Sequence, residues 1–313
     1  MSRWNISDPD RGDGSEPRTP DPLARESGGA SPSVGRAGIS DPPANAVERE
    51  ERVVEPGAPR ARERRTQHQD RGRTYSLRSS EIEAMVDIGR FRVVDVQDLE
   101  RFVYRHDTRH MKQDLESLRG QGLIEEKTVF QAHKASRKVV TLTEEGQRIT
   151  RARTGLSPGQ RIYHGFVKPK EINHDADLYK VYQKAIKEIE EKGGKPLRVR
   201  LDFELKESIN RAKEAARRRP GEERVVLLRA VAQENGLTIQ GTRIQLPDIQ
   251  IEYETREGNI EKENLELLSQ NYREDGIRGK AAAGFKVYAR AQESNRIRRA
   301  LRDTGLVREV LSV

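Results

Sequence analysis

The 313-residue chain contains no cysteine. That excludes a disulfide framework, thiolate metal sites and a cysteine nucleophile. Histidine is scarce as well, and His68, His106, His110, His133, His164 and His174 show no spacing typical of metal ligands. Apolar residues make up only 33% of the chain, against roughly 45–50% in ordinary globular domains. No apolar run approaches the ~20 residues needed to cross a bilayer, and the opening residues Met1 to Asp10 lack the apolar core of a signal peptide. A soluble, cytoplasmic protein without a membrane partner is expected. Phosphate loops of Walker type, the nucleophile elbow of α/β-hydrolases and a dinucleotide fingerprint after a strand are all missing.

Charge is what the chain has in excess. Charged residues are 35% of the total, with 59 basic against 51 acidic side chains and a formal net charge of +8. Such a balance favours a polyanionic partner, nucleic acid above all. Nine of the 14 prolines lie before residue 60. Residues 1–73 alternate Asp-Pro, Gly, Ser, Arg and Glu without an apolar period, and cannot bury enough surface to offset the entropy of ordering. They are expected to be a disordered tail. Its arginine cluster, Arg60, Arg62, Arg64, Arg65, Arg71 and Arg73, is read as linker in preference to a basic arm on DNA phosphates. Charges in this tail balance, so the basic excess belongs to the rest of the chain.

From Tyr75 the texture changes. Ser79-Ser80 with Glu81 and Glu83 signals a helix start, and Ile82, Met85 and Val86 give it an apolar face. Asp95 caps a short second helix carrying Leu99, Phe102 and Val103. A third helix over Thr108–Arg119 places Met111, Leu115 and Leu118 on one stripe and ends at Gly120 and Gly122. Two β-type stretches follow, joined by a polar turn near Ala132–Ser136, and then Leu142-Thr143 leads through Gly146 into a fourth helix. This order resembles the winged helix-turn-helix of DNA-binding regulators. The resemblance implies that the third helix enters the major groove of double-stranded DNA while the wing touches backbone or minor groove. It nominates Arg105, Arg109, His110, Lys112 and Gln113 on the helix side, and Lys134, Arg137 and Lys138 on the wing. The competing reading is a winged helix that docks on protein.

After a linker over residues 155–170, a long amphipathic helix presents Ile172, Leu178, Val181, Tyr182, Ala185, Ile186 and Ile189 to a core and stops at Gly193-Gly194. Leu197, Val199, Leu201 and Phe203 alternate as a strand. Two helices come next, then a hairpin turning at Gly258-Asn259, a helix over 278–283, the segment Gly284–Arg290, a helix near 292–302 and a closing strand. Helices and strands alternate, which predicts an α/β domain with a mixed sheet.

The candidate chemistry sits on that hairpin. Asp248 opens its first strand after Pro247, and Glu266 lies on the second with Asn264 on the same face. An Asp and a Glu brought together across strands can hold Mg²⁺, with Lys280 on the next helix available to stabilise charge. The simpler alternative makes Asp248 a strand opener and Glu266 an ion-pair partner. His174 and Asp175 are read as capping or core residues in preference to site residues.

This layout resembles the PD-(D/E)xK nuclease fold. The segment from His174 through Pro247-Asp248 to Leu265-Glu266, Lys280 and Tyr288 more closely resembles the replication-relaxation family, proteins of plasmids and other mobile elements that join a winged helix to a nuclease-like domain. The resemblance implies catalytic Asp248, Glu266 and Lys280, with Asp248 and Glu266 as the Mg²⁺ ligands. Two departures count against cutting: no lysine follows two residues after Glu266, and Leu268 stands where a second acid is frequent. The expected class is therefore α+β: a disordered tail (1–73), a winged helix-turn-helix domain (74–154), a linker (155–170), and a mixed-sheet α/β domain (171–313) resembling the restriction-endonuclease-like fold. The expected function is DNA binding in replication, mobilisation or transcription control, with a homodimer or other replication and mobilisation proteins as candidate partners. The alternatives are a Mg²⁺-dependent DNA nuclease or nickase and a simple winged-helix transcriptional regulator.

Overall fold

The structure, a computed structural model, describes residues 64–131, 134–152, 155–240, 243–268, 272–290 and 311–312. Most of the expected tail and the expected helix near 292–302 lie outside these residues.

Part of the segment that composition assigns to the tail is folded. β1 (Thr66–Asp70) and β2 (Arg73–Leu77) form an antiparallel hairpin with Asp70 opposite Arg73. The two turn residues, Arg71 (φ 46°) and Gly72 (φ 79°), both take the positive φ that a tight two-residue hairpin demands. Tyr75 and Leu77 are buried. Arg65 reaches Glu81 at 2.9 Å, and Arg148 reaches Asp70 at 3.0 Å. The expected boundary near residue 73 is thus too late, because two well-placed apolar residues anchor a segment that looks polar on average.

Helix α1 (Ser79–Phe91) buries Ile82, Met85, Ile88 and Phe91. The two-residue strand β3 (Val94–Asp95) leads into α2 (Val96–Phe102), capped by Asp95, whose side chain accepts from the Gln97 N–H at 2.8 Å. Helix α3 (Thr108–Gly120) and the strands β4 (Ile124–Gln131) and β5 (Lys134–Leu142) follow. The sheet order is β3-β5-β4, antiparallel throughout. Helix α4 (Glu144–Arg151) starts on Thr143, whose hydroxyl accepts from the Gly146 N–H at 3.0 Å. A Cβ on Gly146 would lie 2.1 Å from the Leu123 carbonyl oxygen, which explains a glycine at this place.

The second half opens with α5 (Pro169–Glu191), where the fixed φ of proline suits the first turn. It continues with β6 (Lys195–Leu201), α6 (Asp202–Ala216), α7 (Gly221–Glu234), the short pair β7 (Ile239–Gln240) and β8 (Arg243–Ile244), β9 (Ile249–Glu254), β10 (Ile260–Leu268), α8 (Glu274–Ala282), β11 (Lys286–Ala289) and β12 (Leu311–Ser312). Phe203 falls on α6 and not on the strand expected to include it. The chain turns helical at Asp202, where Glu204 reaches back to accept from the Leu201 N–H at 3.2 Å. The five-stranded sheet has the order β12-β11-β10-β9-β6 and is mixed: β6, β9 and β10 pair antiparallel, while β10–β11 and β11–β12 are parallel. The class is α+β, with a three-stranded and a five-stranded sheet among helices.

Helix α5 is the wall between the halves. One apolar cluster runs from Tyr75 and Phe91 through Tyr179, Tyr182 and Ile186 to Ile251 and Leu267. Phe91 meets the Tyr179 and Tyr182 rings at centroid distances of 5.3 and 4.8 Å. The described part of the expected linker is tied down too. Tyr163 N–H donates to Gly89 O (2.7 Å), Gly165 N–H to Leu142 O (2.9 Å), and Ile162 is fully buried. No helix among the described residues is long and apolar enough to cross a membrane.

Candidate functional site

The first candidate is the surface of α3. Its inner face is locked by Asp114, a fully buried carboxylate that accepts from Arg78 (2.8 Å), Ser80 (2.5 Å) and Tyr104 (3.3 Å). Burial, then the charge of Asp114, pushes the Tyr104 phenol far above its ordinary range. His110 Nε2 lies 3.3 Å from Asp114 and 3.2 Å from Ser80 Oγ. His110 is therefore part of the clamp holding α3 on α1, which removes it from the set expected to face DNA. On the outer face Arg109, Lys112 and Gln113 are exposed, and neither cation makes an ion pair among the described residues. Arg105 is exposed in the corner before the helix, at φ 50°.

The wing divides. Lys138 is exposed and pairs with Glu126 at 2.7 Å, and Phe130 stands 84% exposed toward the tip. The side chain of Lys134 lies outside the described residues. Arg137 points the other way. It is buried, and its guanidinium meets Asp95 at 2.5 Å, Asp177 at 2.9 Å and Asp98 at 3.7 Å. A DNA contact by Arg137 is thereby overturned. The cause is the start of α5: Val167, Ile172 and Ala176 cover Val139, two residues along β5 on the same face, so that face of the wing is interior. Arg290 joins the cluster through Asp177 at 2.8 Å. Burial pushes the Asp177 carboxyl up, but Arg137 and Arg290 outweigh it and hold it below its ordinary value. Asp98 is pushed up to about 6, by burial first and by its acidic neighbours against Lys180 and Arg137.

The second candidate is the acid pair. Antiparallel register sets Leu265 opposite Ile249, which brings Asp248 and Glu266 together at the same end of the hairpin. Asp248 N–H donates to Glu266 Oε2 (3.2 Å), and Leu267 N–H donates to Asp248 Oδ2 (2.9 Å). Lys280 Nζ lies 2.9 Å from Glu266 Oε1, the oxygen that also accepts from the Tyr272 hydroxyl at 2.6 Å. The Lys280 ammonium stands 5.3 Å from the centroid of the Phe285 ring. His174 Nε2 comes within 3.6 Å of Asp248 Oδ1, so this histidine does reach the site. Burial would lower its pKa, but the hydrogen bond and charge of Asp248 hold it above the ordinary value. Asp175, next to it, is pushed up to about 6 by burial against Arg92 and His174. Asn264 is turned to Gln250 (2.8 Å) and the Gly236 carbonyl (3.0 Å).

All three expected residues, Asp248, Glu266 and Lys280, therefore converge, yet their arrangement does not fit Mg²⁺. Glu266 is wholly buried and both its oxygens are engaged by protein donors, with Lys280 already supplying the neutralising cation. No group of three or more acids or histidines among the described residues could hold a metal ion. Burial, and then the neighbouring charge of Asp248, pushes the Glu266 carboxyl up to about 7 despite Lys280 and Tyr272. Sequence reasoning missed Tyr272, a lone aromatic shortly after the strand.

No family model matches the chain, and no curated protein matches it. Among solved structures, Bacillus subtilis PadR in complex with operator DNA matches at 14% identity, covering 51% of this chain and 93% of that one, with a TM-score of 0.21. A likeness that weak leaves the reading to the residues themselves.

Proposed function

We propose that the chain binds double-stranded DNA through α3 and the wing, in replication, mobilisation or transcription control on a mobile element, as in the replication-relaxation family. The single observation behind this reading is the outer face of α3. Arg109 and Lys112 are exposed there and make no ion pair among the described residues, with Gln113 beside them, while Asp114 fastens the inner face to Arg78, Ser80 and Tyr104. A rigid helix offering cations and an amide outward is suited to phosphates and base edges. The C-terminal sheet supports this module without cutting DNA, since the Glu266 carboxylate is satisfied by Lys280, Tyr272 and the Asp248 N–H.

Duplex binding measured between 50 and 300 mM salt tests the reading. Arg109→Ala and Lys112→Ala should each lower the slope of log K against log salt by ~0.9. Unchanged affinity and slope in both variants would refute it. The convergence of Asp248, Glu266 and Lys280 favours one second reading, a nickase, and plasmid nicking with Mg²⁺ or Mn²⁺ that is lost in Asp248→Ala would establish it.

A further inference from the structure

A cavity of about 530 Å³ opens between α1, the end of α2 and α5, within the ~300–1,000 Å³ typical of small-ligand sites. Ile82, Val86, Phe102, Val103 and Leu156 give it an apolar wall. Its charged lining is unevenly satisfied. Asp87 is saturated: one oxygen accepts from Tyr179 (2.7 Å) and Gln183 (3.5 Å), and the other faces Arg90 at 3.5 Å. Glu83, exposed at the rim, has a partner of its own. The cations are not saturated. Arg90 Nε is buried with no acceptor among the described residues, and a buried donor left unmade is costly. Arg105, also on the lining, makes no ion pair among the described residues.

We infer that this cavity binds a small organic anion with an apolar body, its charged end on Arg90 and Arg105 and its apolar end against Val86 and Phe102. The site is placed to act on α3. Arg105 (φ 50°) and His106 (φ 69°) are consecutive non-glycine residues in the left-handed region, a conformation that persists only where the surroundings hold it. They lead directly into Asp107, whose side chain caps α3 through the His110 N–H at 3.0 Å. An anion that takes Arg105 withdraws it from phosphate. This second step rests on the duplex-binding reading, whereas occupancy of the cavity does not.

Octanoate and neutral octanol serve as probes, titrated calorimetrically into the full chain. Octanoate should bind about tenfold more tightly than octanol, the margin expected of a charge-assisted contact. Arg90→Gln should erase that margin, and Val86→Trp, which sets an indole across the apolar wall where the tails of both probes would lie, should abolish binding of both, with thermal melts confirming that the variants fold. Equal binding of the two probes, no binding of octanoate, or octanoate binding that survives both substitutions would overturn the site. Saturating octanoate should then weaken duplex binding by up to about eightfold at 0.1 M salt, the worth of one phosphate contact, and should do so in wild type but not in Val86→Trp. If octanoate binds as described and leaves duplex affinity unchanged, the coupling is refuted. A chain that binds octanoate but no duplex would sink the DNA reading and leave the cavity standing.

Discussion

Replacing Arg137 by methionine separates two roles that the sequence could not tell apart. The side chain neutralises Asp95 and Asp177 at 2.5 and 2.9 Å and lies 3.7 Å from Asp98, all of them buried. Methionine fills a similar space without charge and leaves three acids with Lys180 and Arg290 as their cationic neighbours among the described residues. Breaking a buried pair by removing one partner costs about 3–5 kcal/mol. For a unit of this size that is a fall in melting temperature of roughly 6–20 °C. The loss should shrink at acid pH. Asp177 is held below its ordinary pKa in the native protein, so its contribution is present above the unfolded value of 3.8 and disappears as pH falls through the native one. Without Arg137 its pKa and that of Asp98 rise, so protonation relieves these two stranded charges increasingly as pH falls. Urea titrations at pH 7.5 and pH 5 measure both effects, and Arg137→Lys should fall between wild type and methionine because it lacks the guanidinium fork. A loss below about 1 kcal/mol at pH 7.5, accompanied by a reduced salt slope for duplex binding, would refute the reasoning and restore Arg137 to the DNA surface.

Lys280→Met should cost about 3–5 kcal/mol above pH 8 and only ~1 kcal/mol at pH 5. The sign follows from Glu266, an acid whose native pKa is raised to about 7: its stabilising share is full below the unfolded value of 4.5 and is lost as pH rises toward 7, so Lys280 matters most where Glu266 is ionised. Equal losses at the two pH values, read from urea midpoints, would contradict it. Millimolar Mg²⁺ should leave the melting temperature of wild type unchanged, and a rise of several degrees would show that the Asp248–Glu266 pair takes a metal after all. Gly146→Ala should destabilise by at least about 2 kcal/mol, because its Cβ would meet the Leu123 carbonyl at 2.1 Å and backbone cannot step aside; a stable, wild-type-like melt would falsify that packing.

Legibility followed period. Helices α1, α3 and α5 were readable because Met85, Leu115 and Ile186 recur at helical spacing, and the β9–β10 hairpin because Gly258 sits between alternating runs. The register that joins Asp248 to Glu266 was readable from the same turn. What escaped depends on contacts distant in sequence. Nothing near Arg137 says which face of β5 is covered, since the cover comes from Val167 and Ile172. His110 looked free because its partners, Ser80 and Asp114, are set by the docking of α3 on α1. The hairpin at residues 66–77 carries little apolar material, and its tie to Glu81 through Arg65 has no local signature.

The packing of the Phe91 ring edge-on against Tyr179 and tilted against Tyr182 decides how the protein can be dissected. A fragment ended near residue 152 would lay bare Phe91, Ile88 and the covered face of β5, a sticky plane in place of a finished surface. One ended before α5 from the other side would uncover the sheet it shields. Cooperative melting of the described residues in a single step is the corollary, and any load placed on the α1–α4 module passes directly into the C-terminal sheet.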